Sequence, residues 1–166
     1  RRQHIDRRIC CKKYQTAQRK LAELSQSQLD AIVEAVAKAF AAQASALGEM
    51  AVQETGFGNA EDKRVKNLFA SQRVAEAVRG MKTVGILREV PEKKLWEIGV
   101  PVGVIAAIIP STNPTSTVCY KAMIALKSGN AIVFSPHPKA IACTRKAAQI
   151  VSEAAQTAGA PADAVA

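Results

Sequence analysis

The chain reads as an α/β protein: a run of N-terminal helices, an antiparallel strand pair, then the start of a doubly wound, Rossmann-like parallel sheet. Three observations predict this. Apolar residues recur at helical spacing through most of the first 80 residues. Two strand-like octets, TVGILREV and KKLWEIGV, flank a proline-bearing turn. The run GVIAAIIPSTNPTSTVCYKAMIALKSGNAIVFSPHP, residues 103–138, then passes through strand, hydroxyl-rich turn, helix, strand and second turn. That is the order of one mononucleotide-binding half of such a sheet, with both turns at carboxyl strand ends, where these sheets bind ligands.

The helices come first. Residues 5–24 show a weak helical pattern. From Ser25 it strengthens, with Leu29, Ile32, Val33, Val36, Phe40 and Leu47 on one face. Ser25 and Gln28 form a capping box, each side chain meeting the other's free backbone N–H. A break is expected near residues 45–48. Gly56-Phe57-Gly58 is a helix stop rather than a phosphate loop, because no strand precedes it. Asn59 caps a further helix, with Glu61 and Asp62 favourably placed in its first turn. Val65, Leu68, Phe69, Ala75 and Val78 give that helix an apolar face, and Gly80 ends it. These helices read as scaffold.

The strands follow. Residues 83–99 predict the antiparallel pair, with Trp96 as a packing anchor. Residues 100–110 are apolar on both faces, as a central parallel strand should be, and Pro110 stops it. Asn113 is a natural N-cap and Pro114 a natural first helical residue. That helix runs to about Ser128, where Gly129 stops it. Residues 131–135 are a second buried strand ended by Pro136. Pro138 opens a helix to about Ala158, closed by Gly159, and another strand is expected to begin where the sequence reaches Ala166. The domain reading is a basic arm at 1–20 and a partial nucleotide-binding domain at 21–166, with helices at 25–80, the strand pair at 83–99 and a βαβα unit at 100–159.

Composition narrows function. Hydrophobic residues make up 48% and charged residues 22% of the 166, an ordinary globular balance with length for one substantial core. The longest apolar run, Val104–Ile109, falls far short of the roughly 20 residues a membrane span needs. The first 15 residues lack the apolar stretch of a secretory signal. The four cysteines show no C-x-x-C or zinc spacing and read as free thiols in a reducing cytosol. His4 and His137 do not suggest a metal site. Of the net +9, residues 1–20 supply +7, eight basic residues against one acid. Aromatic interleaving is nearly absent, which argues against nucleic acid as a partner.

The turns carry the chemistry. Free N–H groups and the helix dipole at Asn113-Pro114 and at His137-Pro138 suit anionic groups. The hydroxyls of Ser111, Thr112, Thr115, Ser116 and Ser135 can bond ribose, phosphate or amide. The Asn113 amide either caps its helix, which backbone physics favours, or stabilises a developing oxyanion. Cys119 and Cys143 fall within helices, away from any base that would activate a thiolate. His137, rigid between two prolines, can contact a ligand.

The strings PVGVIAAIIPSTNPTST from Pro101 and ALKSGNAIVFSPHPKA from Ala125, with AVQETGFG and EDKRVKNLFAS upstream, resemble the aldehyde dehydrogenase superfamily, specifically its CoA-acylating branch. The resemblance runs from about Leu21 to Ala166 and covers the N-terminal part of the family fold, a truncated NAD-binding domain. It implies an oxidoreductase that converts an aldehyde, CoA and NAD to acyl-CoA and NADH, with NAD as cofactor and coenzyme A as co-substrate. It implies that Asn113 stabilises the oxyanion, that Pro110, Ser111, Thr112 and Asn113 line the nicotinamide side, and that Ser135, Pro136 and His137 face the adenosine side. Hydrolytic relatives typically carry a lysine near the Ser135 position, and its replacement fits the acylating branch. The family's nucleophilic cysteine lies in a later segment, so this portion is expected to be inactive alone. A small aldehyde substrate, a homo-oligomer and a cytoplasmic site are further implications. So is encapsulation in a bacterial microcompartment, for which Ile5 and Ile9 in the arm give thin support. The alternatives are a nucleotide-binding module without turnover and a basic interaction module acting through the arm.

A partial sheet leaves apolar surface uncovered and therefore favours association. Light scattering on the isolated chain should show oligomers or aggregates; a monodisperse monomer would contradict this.

Overall fold

The computed structural model describes residues 7–166, with side chains from Lys12 onward. The order is α1 (Arg7–Ala22), α2 (Gln26–Ala42), α3 (Ala44–Thr55), α4 (Ala60–Leu68), a π-helical turn (Phe69–Arg73) and α5 (Val74–Val78). The hairpin β1 (Gly85–Val90) and β2 (Leu95–Gly99) follows, then β3 (Val104–Ile109), α6 (Pro114–Lys127), β4 (Ala131–Pro136) and α7 (Ile141–Thr157). The expected α/β order is therefore present. Residues 1–6, and with them Ile5 and the first part of the basic arm, lie outside the described residues, as do the side chains of residues 7–11, Ile9 among them. The described part of the arm is helical, and α1 runs without a break from Lys20 to Leu21, burying Ala17 and Leu21.

Local chemistry accounts for the helix ends. The Gln28 N–H donates to Ser25 Oγ at 3.3 Å and the Ser25 N–H to Gln28 Oε1 at 2.9 Å, completing the capping box. Asn59 Oδ1 accepts from the Asp62 N–H at 2.8 Å. Gly56 ends α3 in the left-handed region at φ 71°. The break between α2 and α3 falls at Gln43, a little before the expected 45–48, with the axes bent by 65°. No single helix among the described residues is long and apolar enough to cross a membrane.

The core forms where α2, α6 and α7 meet the parallel sheet. Leu29, Ile32, Val36 and Phe40 of α2 pack in one cluster with Val118, Met123 and Leu126 of α6, Val151 of α7, and Ile109 and Ile132 of the strands. β3 and β4 pair in parallel from Val104↔Ala131 to Ile109↔Pro136. Residues 164–166 continue the sheet beside β4: Val165 bridges Ile132, and the Phe134 N–H donates to Ala166 O at 2.7 Å. The next strand, expected from Ala166, thus shows its first pairing one residue earlier, as a single bridge at Val165.

Three packing expectations need correction. Trp96 does not anchor a core: it is 63% exposed on an antiparallel hairpin whose Ile86, Leu95 and Ile98 are exposed too. β3 is buried on one face only. Ala107 and Ile109 are buried while Ile108 is 77% exposed, because the helices that contact β3, α6 and α1, leave the Ile108 end of its other face uncovered. Val65 and Phe69 are also exposed; the first part of the 59–80 segment turns inward through Lys63, Asn67, Ala70 and Ser71 instead.

That inward turn is possible because α3 and α4 pack very closely at Gly48. A Cβ there would lie 3.0 Å from Ala60 O and 3.1 Å from Arg64 N, both backbone atoms. Replacing a helical glycine normally gains up to about 1 kcal/mol. Here forcing α4 away should cost more. Gly48→Val is expected to destabilise by about 1–3 kcal/mol, read as a lower urea midpoint; an unchanged or higher midpoint would refute the close crossing.

Candidate functional site

The parallel register sets the two turns side by side. Ile109 pairs with Pro136, and the His137 N–H donates to Ile109 O at 3.0 Å. Pro110, Ser111, Thr112 and Asn113 therefore share one carboxyl edge with Ser135, Pro136 and His137. Ser135 and His137 are exposed. His137 caps the turn after β4, its Nδ1 accepting from the Lys139 N–H at 3.1 Å. This leaves Nε2 without a partner among the described residues.

Asn113 does not cap α6 with its side chain. At φ −139° and ψ 60° the side chain makes no cap hydrogen bond, and its Oδ1 is buried without a partner. Only its backbone acts as a cap: Asn113 O accepts from the Thr117 N–H at 3.2 Å and from Thr117 Oγ1–H at 2.6 Å. The cap reading that backbone physics favours is thus overturned for the side chain. An amide oxygen buried without a bond costs about 1–3 kcal/mol, so such an atom calls for an explanation.

The amide lines a cleft of about 470 Å³ between α4, the π-helical turn and α6. Val65, Phe69, Val74 and Tyr120 make its apolar wall, Asn113, Ser116 and Thr117 its polar floor, and Lys66 stands beside them. Sequence reasoning missed Val65, Phe69, Val74 and Tyr120 as site residues. The π-helical turn at Phe69–Arg73 is the structural cause: one widened turn re-aims the residues around it, and such turns often mark functional sites.

The second anion site expected from sequence is already taken. The Ala142 and Cys143 N–H groups donate to Glu54 Oε1 and Oε2, both at 2.7 Å. The start of α7, set off by a one-turn 3-10 segment at Pro138–Ala140, is therefore closed by the chain's own carboxylate. Burial pushes the Glu54 carboxyl up, but the hydrogen bonds from Cys143, Ala142 and Ile141 outweigh it and hold the group below its ordinary range.

Neither described thiol is suited to attack. Burial pushes Cys119 far up, and burial with the neighbouring Glu54 carboxylate raises Cys143 to about 12. Both are free and buried, while Cys10 and Cys11 lie outside the described side chains. No cluster of three metal-ligating side chains occurs among the described residues.

Comparison with known proteins places this geometry. A family profile described as "Aldehyde dehydrogenase family" matches residues 3–166. The bifunctional aldehyde-alcohol dehydrogenase of Escherichia coli K12 is 48% identical over 147 residues, which cover 89% of this chain and 16% of that protein. The crystal structure of an acetylating aldehyde dehydrogenase from Geobacillus thermoglucosidasius superposes with a TM-score of 0.94 at 53% identity, over 96% of this chain and 35% of that one. A propionaldehyde dehydrogenase from the Clostridium phytofermentans fucose utilisation microcompartment gives 0.83 at 33% identity, over 96% and 36%. Similar solved structures hold CoA, in a propionaldehyde dehydrogenase from Rhodopseudomonas palustris, or NADP+, in an engineered glycolyl-CoA reductase. The chain spans about a third of these solved relatives and about a sixth of the bifunctional enzyme.

The Glu54 cap predicts a pH-dependent stability. Its folded pKa is depressed, so the contribution is complete above pH 4.5, the ordinary glutamate value, and is lost as pH falls through the depressed value. Glu54→Gln should destabilise by about 1 kcal/mol at pH 7 and by much less near pH 3 in urea titrations. An equal loss at both pH values would rule out the charged cap.

Proposed function

The chain belongs to the aldehyde dehydrogenase family, and from that membership we propose that it forms the cofactor-side part of a CoA-acylating aldehyde dehydrogenase, converting aldehyde, CoA and NAD to acyl-CoA and NADH. One observation carries the reading. Asn113 presents a half-buried amide that bonds to no described neighbour and lines an apolar cleft. The aldehyde's carbon chain lies against Val65, Phe69 and Tyr120. Asn113 donates Nδ2–H to the aldehyde oxygen as that oxygen gains negative charge. A donor already held in place stabilises the transition state without reorganising, which is why such groups are worth several kcal/mol.

The residues present fit a nucleotide on one side. Pro110, Ser111 and Thr112 offer an apolar edge and hydroxyls toward the nicotinamide; Ser135, Pro136 and the unpartnered His137 Nε2 face the adenosine. When bound, the nicotinamide supplies the hydride acceptor. The start of α7 has no part in holding phosphate, because Glu54 satisfies its amides. The buried thiols leave the nucleophile's role to a cysteine other than Cys119 and Cys143. A small aldehyde substrate, a homo-oligomer that covers the exposed hairpin around Trp96, and a cytoplasmic or microcompartment setting complete the proposal. The Clostridium relative supports the last of these.

In the complete gene product carrying this segment, Asn113→Ala is expected to lower kcat for acyl-CoA formation by about 10²–10³-fold, with the fold unchanged by circular dichroism. Wild-type turnover in that variant would remove Asn113 from the mechanism. If the unsubstituted protein forms no NADH that depends on both aldehyde and CoA, the function itself is wrong.

A further inference from the structure

Two polar side chains of α4 are nearly fully buried and have no part in the chemistry above: Lys63, 4% exposed, and Asn67, 1% exposed. Lys63 has no carboxylate within ion-pair distance among the described residues. The one hydrogen bond of its side chain among the described residues runs from Nζ to Thr112 O at 2.6 Å. Asn67 bridges two elements: its Nδ2 donates to Ala44 O of α3 at 2.9 Å, and its Oδ1 accepts from Thr115 Oγ1 of α6 at 2.8 Å. Both partners on the far side, Thr112 and Thr115, flank Asn113 in sequence.

Resting on the reading of Asn113 as the oxyanion donor, we propose that Lys63 and Asn67 are positioning residues that lock the backbone on either side of Asn113 and so aim its amide into the cleft. The Thr112 carbonyl and the Asn113 N–H belong to one rigid peptide plane, so the Lys63 bond fixes the plane entering Asn113. Thr117 fixes the plane leaving it, through the two bonds to Asn113 O. Asn67 then ties Thr115 to α3, which holds the first turn of α6 against the helical layer. With both planes held, only the side-chain torsions of Asn113 remain free.

Stability does not account for Lys63. Burying an ammonium without a counter-charge is costly, and burial with the neighbouring Lys66 pushes its pKa down. A methionine would fill the same space at no such cost. What the ammonium provides instead is a charge-assisted bond to a carbonyl, about twice as strong as a neutral one. It is spent on an otherwise exposed loop residue, Thr112. Looseness of about 1 Å in a reacting group can cost on the order of 10²-fold in rate, so a loop-borne donor needs such bracing.

A double-mutant cycle in the complete gene product tests this. Lys63→Met should lower kcat about 10- to 100-fold while KM for NAD and CoA stays within about twofold. In an Asn113→Ala background the same substitution should cost little more, because Lys63 acts through a side chain already removed. Equal losses in both backgrounds, or no loss of kcat, would overturn the proposal. Should Lys63→Met fail to fold, Thr115→Val removes only the Asn67 link and is read in the same cycle. Hydrogen exchange across residues 110–117 gives a readout independent of turnover: it should quicken in Lys63→Met, and unchanged exchange would also overturn the assignment. A protein with no activity before substitution would instead indict the functional reading, leaving the exchange result to decide this one.

Discussion

The candidate site depends first on the in-register parallel pairing of β3 and β4. Successive strand residues point to opposite faces, so a slip of one residue would expel Ile109 from the core and bury Ile108 in its place. It would also carry Asn113 away from α4. The register is held at both ends. At the start, Asn130 Oδ1 accepts from the Gly103 N–H while the Asn130 N–H donates to Ala125 O. At the finish, the His137 N–H donates to Ile109 O. Along the open edge, Lys121 Nζ reaches back from α6 to Ile108 O at 2.8 Å. That bond satisfies a carbonyl which an unpaired strand would otherwise offer to another chain.

Against the helices beside this sheet, α4 packs contrary to the usual rule. A surface helix normally turns its apolar stripe inward and its polar side to water. α4 buries Lys63 and Asn67 and exposes Val65, with Phe69 just beyond it 63% exposed. The exchange makes sense locally. α3 approaches so closely at Gly48 that bulky side chains have little room, while the backbone of α3 and of the Thr112 loop presents carbonyls that need donors. The apolar residues thus released become the wall of the cleft. Sites where local preference is broken without a gain in stability are where function is expected to sit.

How far the sequence could be read follows the range of the interactions. The Ser25–Gln28 box, the Asn59 cap and the Leu29 to Phe40 stripe were legible because each is set by residues within one or two turns. The strand–turn–helix–strand order around Asn113 was legible because its punctuation, Pro110, Pro114 and Gly129, is local as well. The side-chain role of Asn113 was not, since a cap and a free amide differ only in backbone angles. The inward face of α4 was ambiguous: the stripe of Val65 and Phe69 fits helical spacing as well as that of Lys63, Asn67, Ala70 and Ser71. Glu54 was invisible as a cap, because it acts on α7 from 88 residues away. Trp96 and Ile108 misled for a different reason: apolar character says that a surface is suited to contact, not that the contact lies within these residues.

Charge placement separates the two halves of the chemistry. The described thiols are held neutral, Cys143 by burial and by the Glu54 carboxylate beside it. Around Asn113 the balance is reversed, with the buried Lys63 ammonium bonded to Thr112 O and Lys66 at the cleft. Under the proposed role of Asn113, this arrangement suits negative charge appearing on a bound oxygen better than it suits generating a nucleophile. Its costs point the same way. The unbonded Asn113 Oδ1 costs about 1–3 kcal/mol, and the unpaired Lys63 adds a penalty of its own, against a net stability of about 5–15 kcal/mol for a typical domain. Apolar replacements at positions 63 and 113 would avoid both costs without disturbing the core among α2, α6 and α7. Keeping both groups agrees with the proposed role, in which the amide works on something that enters the cleft.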